Sequence, residues 1–437
     1  MRLKKNQIIS SGGKEYLILD LLGAGGQGEV YLAECEGKQC ALKVYVDPPT
    51  PDFCYNLKSN VEKGSPSKSF LWPQAIVESE DVFGYTMDLR PKSYASFVSY
   101  LTGKNKFCDQ STLLHWCIEL CLSFKRLHEM GYSYQDLNDG SFFLDPDTGD
   151  LLICDNDNVT ADKKNLGVLG KMRYMAPEIV RGDVDPRTKE RQMPDVHSDR
   201  FSLAVILFMA LCLGNPYEGE RLKNYPMMDE RAEYEMYGSH PVFVYHKNDT
   251  SNRPIRGYHT GVLRRWPLIP IYVKEAFHRT FVDGLIDREN GRTTELEWLR
   301  LLTRYRDELL TCACGYQYAY GLAERAVQAS CPLCKTKNES AYCILALGKS
   351  RILLEPGKKL YSHHIDKYSS QYNTEVGEVI RNKKNPALWG LRISGTGDVL
   401  IKDTSGNVKT VAAGGVIPII TGLKIKFNEN TIGEIRS

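Results

Sequence analysis

The stretch that most constrains the fold is Tyr134–Asn158, YQDLNDGSFFLDPDTGDLLICDNDN. Its apolar runs Phe142–Leu144 and Leu151–Cys154 flank a turn, Asp145–Asp150, rich in Pro, Asp and Gly, which predicts a β-hairpin between two loops. Each outer loop carries an aspartate, Asp136 before the hairpin and Asp155 after it. A hairpin brings its ends together, so one carboxylate can orient a hydroxyl while the other holds a metal ion. Phosphoryl transfer needs that pair, because its catalysis is mostly positioning plus charge stabilisation. Aspartates are also ordinary turn residues, so the neighbouring segments decide between the two readings.

Upstream, Leu17–Gly23 and Glu29–Ala33 read as strands around Gly23-Ala24-Gly25-Gly26-Gln27-Gly28. Glycines there let backbone N–H groups approach phosphate oxygens. A dinucleotide loop would be followed by a helix, but here a strand follows. Ala41-Leu42-Lys43-Val44 then sets one lysine on an alternating strand; that is either a solvated face or a phosphate contact. Tyr55–Lys63 reads as a helix ended by Gly64-Ser65-Pro66, with Glu62, Asn56 and Asn60 as candidate polar contacts. Phe83–Leu89 reads as a strand running into an extended segment, and Leu113–His128 as an amphipathic helix.

At 437 residues the chain predicts two or three domains. A net charge of +2 gives no reason to expect nucleic acid or an anionic membrane as partner. The basic N-terminus has no apolar segment of secretory type, and Phe201–Leu213 is too short to span a bilayer. The 13 cysteines are odd in number and scattered, apart from four at metal-ligand spacing, so a cytoplasmic location is expected.

These motifs, in this order, resemble a eukaryotic-type (Hanks-type) bacterial serine/threonine protein kinase over roughly residues 15–305. H-R-D-x-x-x-x-N is matched by Tyr134-Gln135-Asp136 and Ser141, D-F-G by Asp155-Asn156-Asp157, and A-P-E by Ala176-Pro177-Glu178. The resemblance implies an α+β fold: a two-lobed kinase domain (small lobe 15–89, large lobe 90–310) behind an N-terminal tail, 1–14. It implies a site for ATP with Mg²⁺ or Mn²⁺. Gly23, Ala24, Gly25, Gly26, Gly28, Val30 and Ala41 would surround the nucleotide with Met87 and the hinge residues Asp88 and Leu89. Lys43 would contact the α- and β-phosphates and pair with Glu62, Asp136 would act on the substrate hydroxyl, and Asp155 and Ser141 would hold magnesium. Glu178 would pair with Arg292, and Asp199 would hold the catalytic loop from below.

The departures carry information. Gln135 replaces the arginine that meets an activation-segment phosphate, and a neutral amide makes no charge-assisted pair; activity independent of that phosphorylation follows as an expectation. Lys171 stands where threonine is common, and Asn138 where lysine often touches the γ-phosphate. Ser141 is a poorer metal ligand than asparagine. Asn156 removes the phenylalanine latch between the lobes. Asp157 either supports the metal site or caps a turn, and the turn is favoured.

Cys312-Ala313-Cys314 and Cys331-Pro332-Leu333-Cys334 form two knuckles that predict a closed, structural Zn²⁺ site in a zinc ribbon over 311–343. Unrelated thiols or a redox pair are the alternatives. Residues 344–437 show short alternating strands separated by Gly-rich turns, a β-sandwich pattern. It resembles a degenerate forkhead-associated (FHA) domain, with Gly377-Glu378 where that family's phosphate-gripping arginine would follow a glycine. With FLWP (Phe70–Pro73) and ICDNDNV (Ile153–Val159), the order kinase, zinc ribbon, sandwich resembles a bacterial subgroup that accompanies a metal-dependent protein phosphatase and a von Willebrand factor A (vWA) protein of the tellurium-resistance type. Both are expected partners. The alternative to an enzyme is a nucleotide-binding pseudokinase scaffold that docks partners through its C-terminal modules.

Overall fold

A computed structural model describes residues 2–321, 330–337, 342–366, 368–394 and 397–437. The small lobe is a six-stranded antiparallel sheet of β1 (Ile8–Ser11), β2 (Lys14–Ala24), β3 (Gly28–Cys35), β4 (Lys38–Tyr45), β5 (Ala75–Glu78) and β6 (Phe83–Met87), ordered β1-β2-β3-β4-β6-β5. Residues 1–14 are therefore not a tail. Ile8–Ser11 pairs with β2, and Leu3 and Ile9 are buried in the sheet's core. Gly12 and Gly13 turn the chain at φ 58° and 77°, two consecutive left-handed residues of the kind a tight hairpin requires.

Helix α1 (Pro51–Lys63) starts four residues before the expected Tyr55. Thr50 accepts from the Phe53 amide and Pro51 opens the first turn, two strong start signals; Gly64 at φ 77° stops it. The segment Ser69–Leu71 then passes beside the catalytic hairpin, exchanging backbone hydrogen bonds with Ile153. Trp72 Nε1 donates to the Asn60 carbonyl at 2.9 Å, tying α1 to the same crossing point.

The hairpin forms as the sequence predicts, with Leu144 opposite Leu151 and Phe142 opposite Ile153. Phe142 packs edge-on to Phe97 and Trp116 in the large-lobe core. Helices Gln110–Glu129, Val196–Cys212 and Glu295–Asp307 build that core, each begun by a side-chain cap: Asp109, Asp195 and Thr294. From Leu203 to Cys212 the second of these is apolar all round, as it lies in the middle of the lobe. Among the described residues no helix is long and apolar enough to cross a membrane.

Beyond the last large-lobe helix, Leu309–Thr311 pairs with Gln317–Ala319 under the first cysteine knuckle. Residues 322–329 and 338–341 of the expected zinc module lie outside the described residues. The C-terminal unit is two facing antiparallel sheets, of six and four strands. Leu345, Ile352, Val379, Leu391, Ile417, Ile425 and Ile435 fill the space between them. The first of its strands is Cys343–Leu347, so the expected boundary at 344 falls inside it. The sandwich folds back onto the large lobe. Lys358 Nζ donates to the Leu309 carbonyl at 2.6 Å, Arg306 Nη2 to the Tyr372 carbonyl at 2.8 Å, and Asn373 Nδ2 to Glu119 Oε1 at 2.8 Å.

Candidate active site

Lys43 projects from β4 beneath the Gly-rich turn. Gly23 pairs with Val30, and Val30 with Lys43, so the turn and the lysine are fixed by one antiparallel register. Gly28 is required sterically: a Cβ there would lie 2.4 Å from the Val44 carbonyl oxygen. Gly23 and Gly26 face open space. Ala41 and Met87 are buried in a cluster that Val30 and Leu89 flank, while Asp88 is exposed. Leu152 and Cys154, from the hairpin, pack on the same cluster. The sequence reading did not assign those two; their place as the last residues of a strand ending at Asp155 was the available signal.

The lysine is anchored differently from the expectation. Lys43 Nζ lies 2.7 Å from Asp157 Oδ2 and 3.6 Å from Asp155 Oδ1. Tyr45, two residues on along the strand and therefore on the same face, donates its hydroxyl to the same Asp157 oxygen. Burial pushes the Lys43 ammonium toward neutrality, but Asp157 first and Asp155 second outweigh it and hold its pKa above the ordinary value. Asp157 is thus no turn cap. Its side chain is 0% exposed against 56% for Asp155, so Asp157 is the lysine's counter-ion and Asp155 is the carboxylate left facing the cleft.

Glu62 is corrected accordingly. It is exposed on α1, with no contact to Lys43. The inward face of that helix carries Asn56 and Asn60 instead, and both side-chain amides donate to the Val159 carbonyl at 2.8 Å. A helix that presents amides can hold the metal loop by its backbone but cannot neutralise an ammonium. Asn156 likewise turns the lost apolar latch into a polar one: it is buried and donates to the carbonyls of Leu71 and Ile153, both at 2.9 Å.

Ser141, the other expected magnesium ligand, closes a short 3₁₀ turn, Asp139–Ser141, and its Oγ is buried. Asp155 sits at φ 57°, a left-handed conformation unusual for aspartate, which sets its exposed carboxylate at the start of the metal loop. One accessible carboxylate completed by phosphates and water suits magnesium, which is usually held by one or two carboxylates.

Asp136 is half-buried in the catalytic loop. Asn138 Nδ2 donates to its carboxylate at 3.2 Å. Burial raises the Asp136 pKa, while the Asn138 hydrogen bond and the Lys171 charge pull it back. From below, Asp199 accepts from the backbone amides of Tyr134 (2.6 Å) and Gln135 (2.9 Å), the role expected of it. His128 bridges Asp199 and Glu295; burial opposes its charge, but the two carboxylates prevail and hold its pKa at about 9. Glu178 and Arg292 meet at 2.7 Å, both buried, closing the activation segment onto the lobe.

The chain belongs to the protein kinase family. Residues 16–255, more than half its length, match the protein kinase domain. Over 360 residues it is 24% identical to protein kinase YegI of Escherichia coli, covering 79% of this chain and 52% of that protein. Over 242 residues it is 22% identical to a probable LIM domain-containing serine/threonine-protein kinase of Dictyostelium discoideum, covering 53% of this chain and 35% of that protein. The chain spans about half the length of the YegI proteins it matches.

At the other end of the large lobe, Cys312 and Cys334 sulfurs lie 3.6 Å apart and those of Cys314 and Cys331 3.8 Å apart. All four lie within 4.8 Å of one another. A tetrahedron of thiolates at about 2.3 Å from a central ion puts its sulfurs about 3.8 Å apart, far longer than a disulfide.

The two candidate partners of Lys43 separate cleanly by mutation. Glu62→Ala should leave nucleotide affinity and stability unchanged. Asp157→Asn strands a buried ammonium and should cost about 3–5 kcal/mol of stability in denaturant unfolding, together with most nucleotide affinity. The reverse ranking would contradict the assignment.

Proposed function

We propose that this protein is an ATP-dependent serine/threonine protein kinase whose activity does not wait for phosphorylation of its activation segment. The observation that carries the reading is the placement of Lys43, Asp155 and Asp136 about one cleft under a glycine-rich turn. Lys43 and the turn amides would position the phosphates. Asp136 would orient the acceptor hydroxyl and take its proton. Asp155 would hold Mg²⁺ or Mn²⁺, which supplies charge neutralisation on the phosphate oxygens.

Independence from phosphorylation is supported by what replaces the phosphate contact. Gln135 Nε2 donates to Thr160 Oγ1 at 2.7 Å and Ser133 Oγ at 3.0 Å, and its Oε1 accepts from Asn165 Nδ2 at 2.8 Å. These neutral bonds already tie the catalytic loop to the activation segment. Between Asp155 and Glu178 the sequence has one Ser/Thr hydroxyl, Thr160, and it is buried and hydrogen-bonded. A polypeptide substrate is supported by a cavity of about 530 Å³ beside the segment, where Leu169, Met172, Met175 and Ile179 share the wall with Arg191, Glu230 and Arg231.

The four cysteines would hold a structural Zn²⁺ with no open position for chemistry. Cytoplasmic location, a vWA-domain protein substrate and an opposing metal-dependent phosphatase remain part of the proposal. One observation favours the pseudokinase scaffold as second reading: a serine, Ser141, stands where the kinase pattern has an asparagine metal ligand.

Labelled ATP with magnesium or manganese, with a generic substrate and with a vWA-domain protein, tests the first reading. Incorporation should be lost in Asp136→Asn and Asp155→Asn, and unchanged after phosphatase pretreatment of the wild type. Nucleotide binding without any incorporation would leave the scaffold. For the zinc site, elemental analysis should find one zinc per chain, lost in Cys331→Ser together with folding of the module. Metal binding of this kind supplies about 10–16 kcal/mol in small zinc domains.

A further inference from the structure

Two residues that depart separately from the kinase pattern meet in space. Lys171 Nζ donates to Asn138 Oδ1 at 3.0 Å, and the other end of that amide donates to Asp136 Oδ1 at 3.2 Å. The Asn138 oxygen also accepts from the Gly140 amide, so the amide's orientation is fixed. Gly170 makes the contact reachable. It sits at φ 91°, and a Cβ there would lie 3.1 Å from the Gln135 carbonyl and 3.4 Å from Asp136 Oδ1. The activation segment thus lies on the catalytic loop with no side chain between them. It delivers an exposed ammonium to the rim of the acceptor-hydroxyl site.

We infer that Lys171 is a catalytic residue of this kinase: its ammonium, held by Asn138 beside Asp136, grips the phosphoryl group as it passes to the acceptor hydroxyl. The inference rests on the kinase reading above and adds a residue to it. Three observations favour this role over a surface ion. The catalytic loop between Tyr134 and Ser141 contains no lysine and only uncharged or acidic side chains, so a cation on the acceptor side must come from elsewhere. Lys43 is committed to Asp157 and Asp155 on the nucleotide side. Lys171 is hydrogen-bonded to an uncharged amide, which positions its charge without neutralising it, and that charge lowers the Asp136 pKa. In the step itself the γ-phosphorus–oxygen bond to the nucleoside diphosphate breaks and a bond to the substrate oxygen forms. The hydroxyl proton goes to Asp136, and Lys171 stabilises charge on the oxygens in transit. Because the cation comes from the activation segment, transfer is coupled to docking of that segment on the catalytic loop.

The test is steady-state transfer by the full chain in Lys171→Met, Lys171→Arg and the exchange variant Asn138→Lys/Lys171→Thr, with circular dichroism and nucleotide binding as folding controls. Lys171→Met should lower kcat by about 100-fold, the size seen when one donor to a developing oxyanion is removed, while KM for ATP stays unchanged. The acid limb of its kcat/KM profile should move to higher pH, because Asp136 loses a stabilising charge. Lys171→Arg and the exchange variant should each recover most of the loss. Unchanged kcat in Lys171→Met, or a loss that appears as nucleotide KM with no shift of the acid limb, would overturn the inference while leaving the kinase reading intact. A wild type that binds ATP and transfers nothing would overturn both.

Discussion

The active cleft depends on one buried ion pair, Lys43 with Asp157. An ammonium taken out of water is tolerated only when paired and hydrogen-bonded, and here the partner comes from the metal loop. Asp157 lies two residues after Asp155, at the middle of a 3₁₀ turn, Asn156–Asn158. Lys43 and the cleft-facing carboxylate of Asp155 are therefore tied through a single short turn. Helix α1 has no share in that charge balance. The position of α1 is set instead by Asn56 and Asn60 on the Val159 carbonyl and by Trp72 on the Asn60 carbonyl.

Neutral amides recur around the site, at Gln135 and Asn138 where the kinase pattern has charges and at Asn156 where it has an apolar latch. Gln135 joins catalytic loop to activation segment, Asn138 joins Asp136 to Lys171, and Asn156 joins the metal loop to the crossing strand at Leu71. Amide hydrogen bonds do not need a phosphate to form and are weakly screened by salt. The contacts around Asp136 and the Asn156–Asn158 turn are thus made by neutral amides. The C-terminal sandwich adds to this rigidity by bracing the final large-lobe helix through Arg306 and Lys358.

Much of this was legible in the chain. The catalytic hairpin and the glycine turn between strands followed from local pattern, and the buried Glu178–Arg292 pair and the Asp199 support from the resemblance to kinases. What was missed was missed for physical reasons. Choosing Asp157 over Glu62 required knowing which face of α1 turns inward, and the three polar residues Asn56, Asn60 and Glu62 left that open. Tyr45 was readable by strand periodicity from Lys43, but its target was a loop 112 residues away. The first strand was hidden by a short charged N-terminus, although Gly12-Gly13 marked its turn. The docking of the sandwich on the lobe depends on contacts such as Asn373 with Glu119, which no local pattern announces.

The measurement that bears most directly on this account is a double-mutant cycle between Lys43 and Asp157, using Lys43→Met and Asp157→Asn with unfolding free energy in denaturant as the readout. Residues in direct buried contact couple by up to about 3 kcal/mol. The account predicts a coupling of about 2 kcal/mol or more, with the double variant more stable than either single one. Additive losses for this pair, together with strong coupling between Lys43 and Glu62, would contradict it.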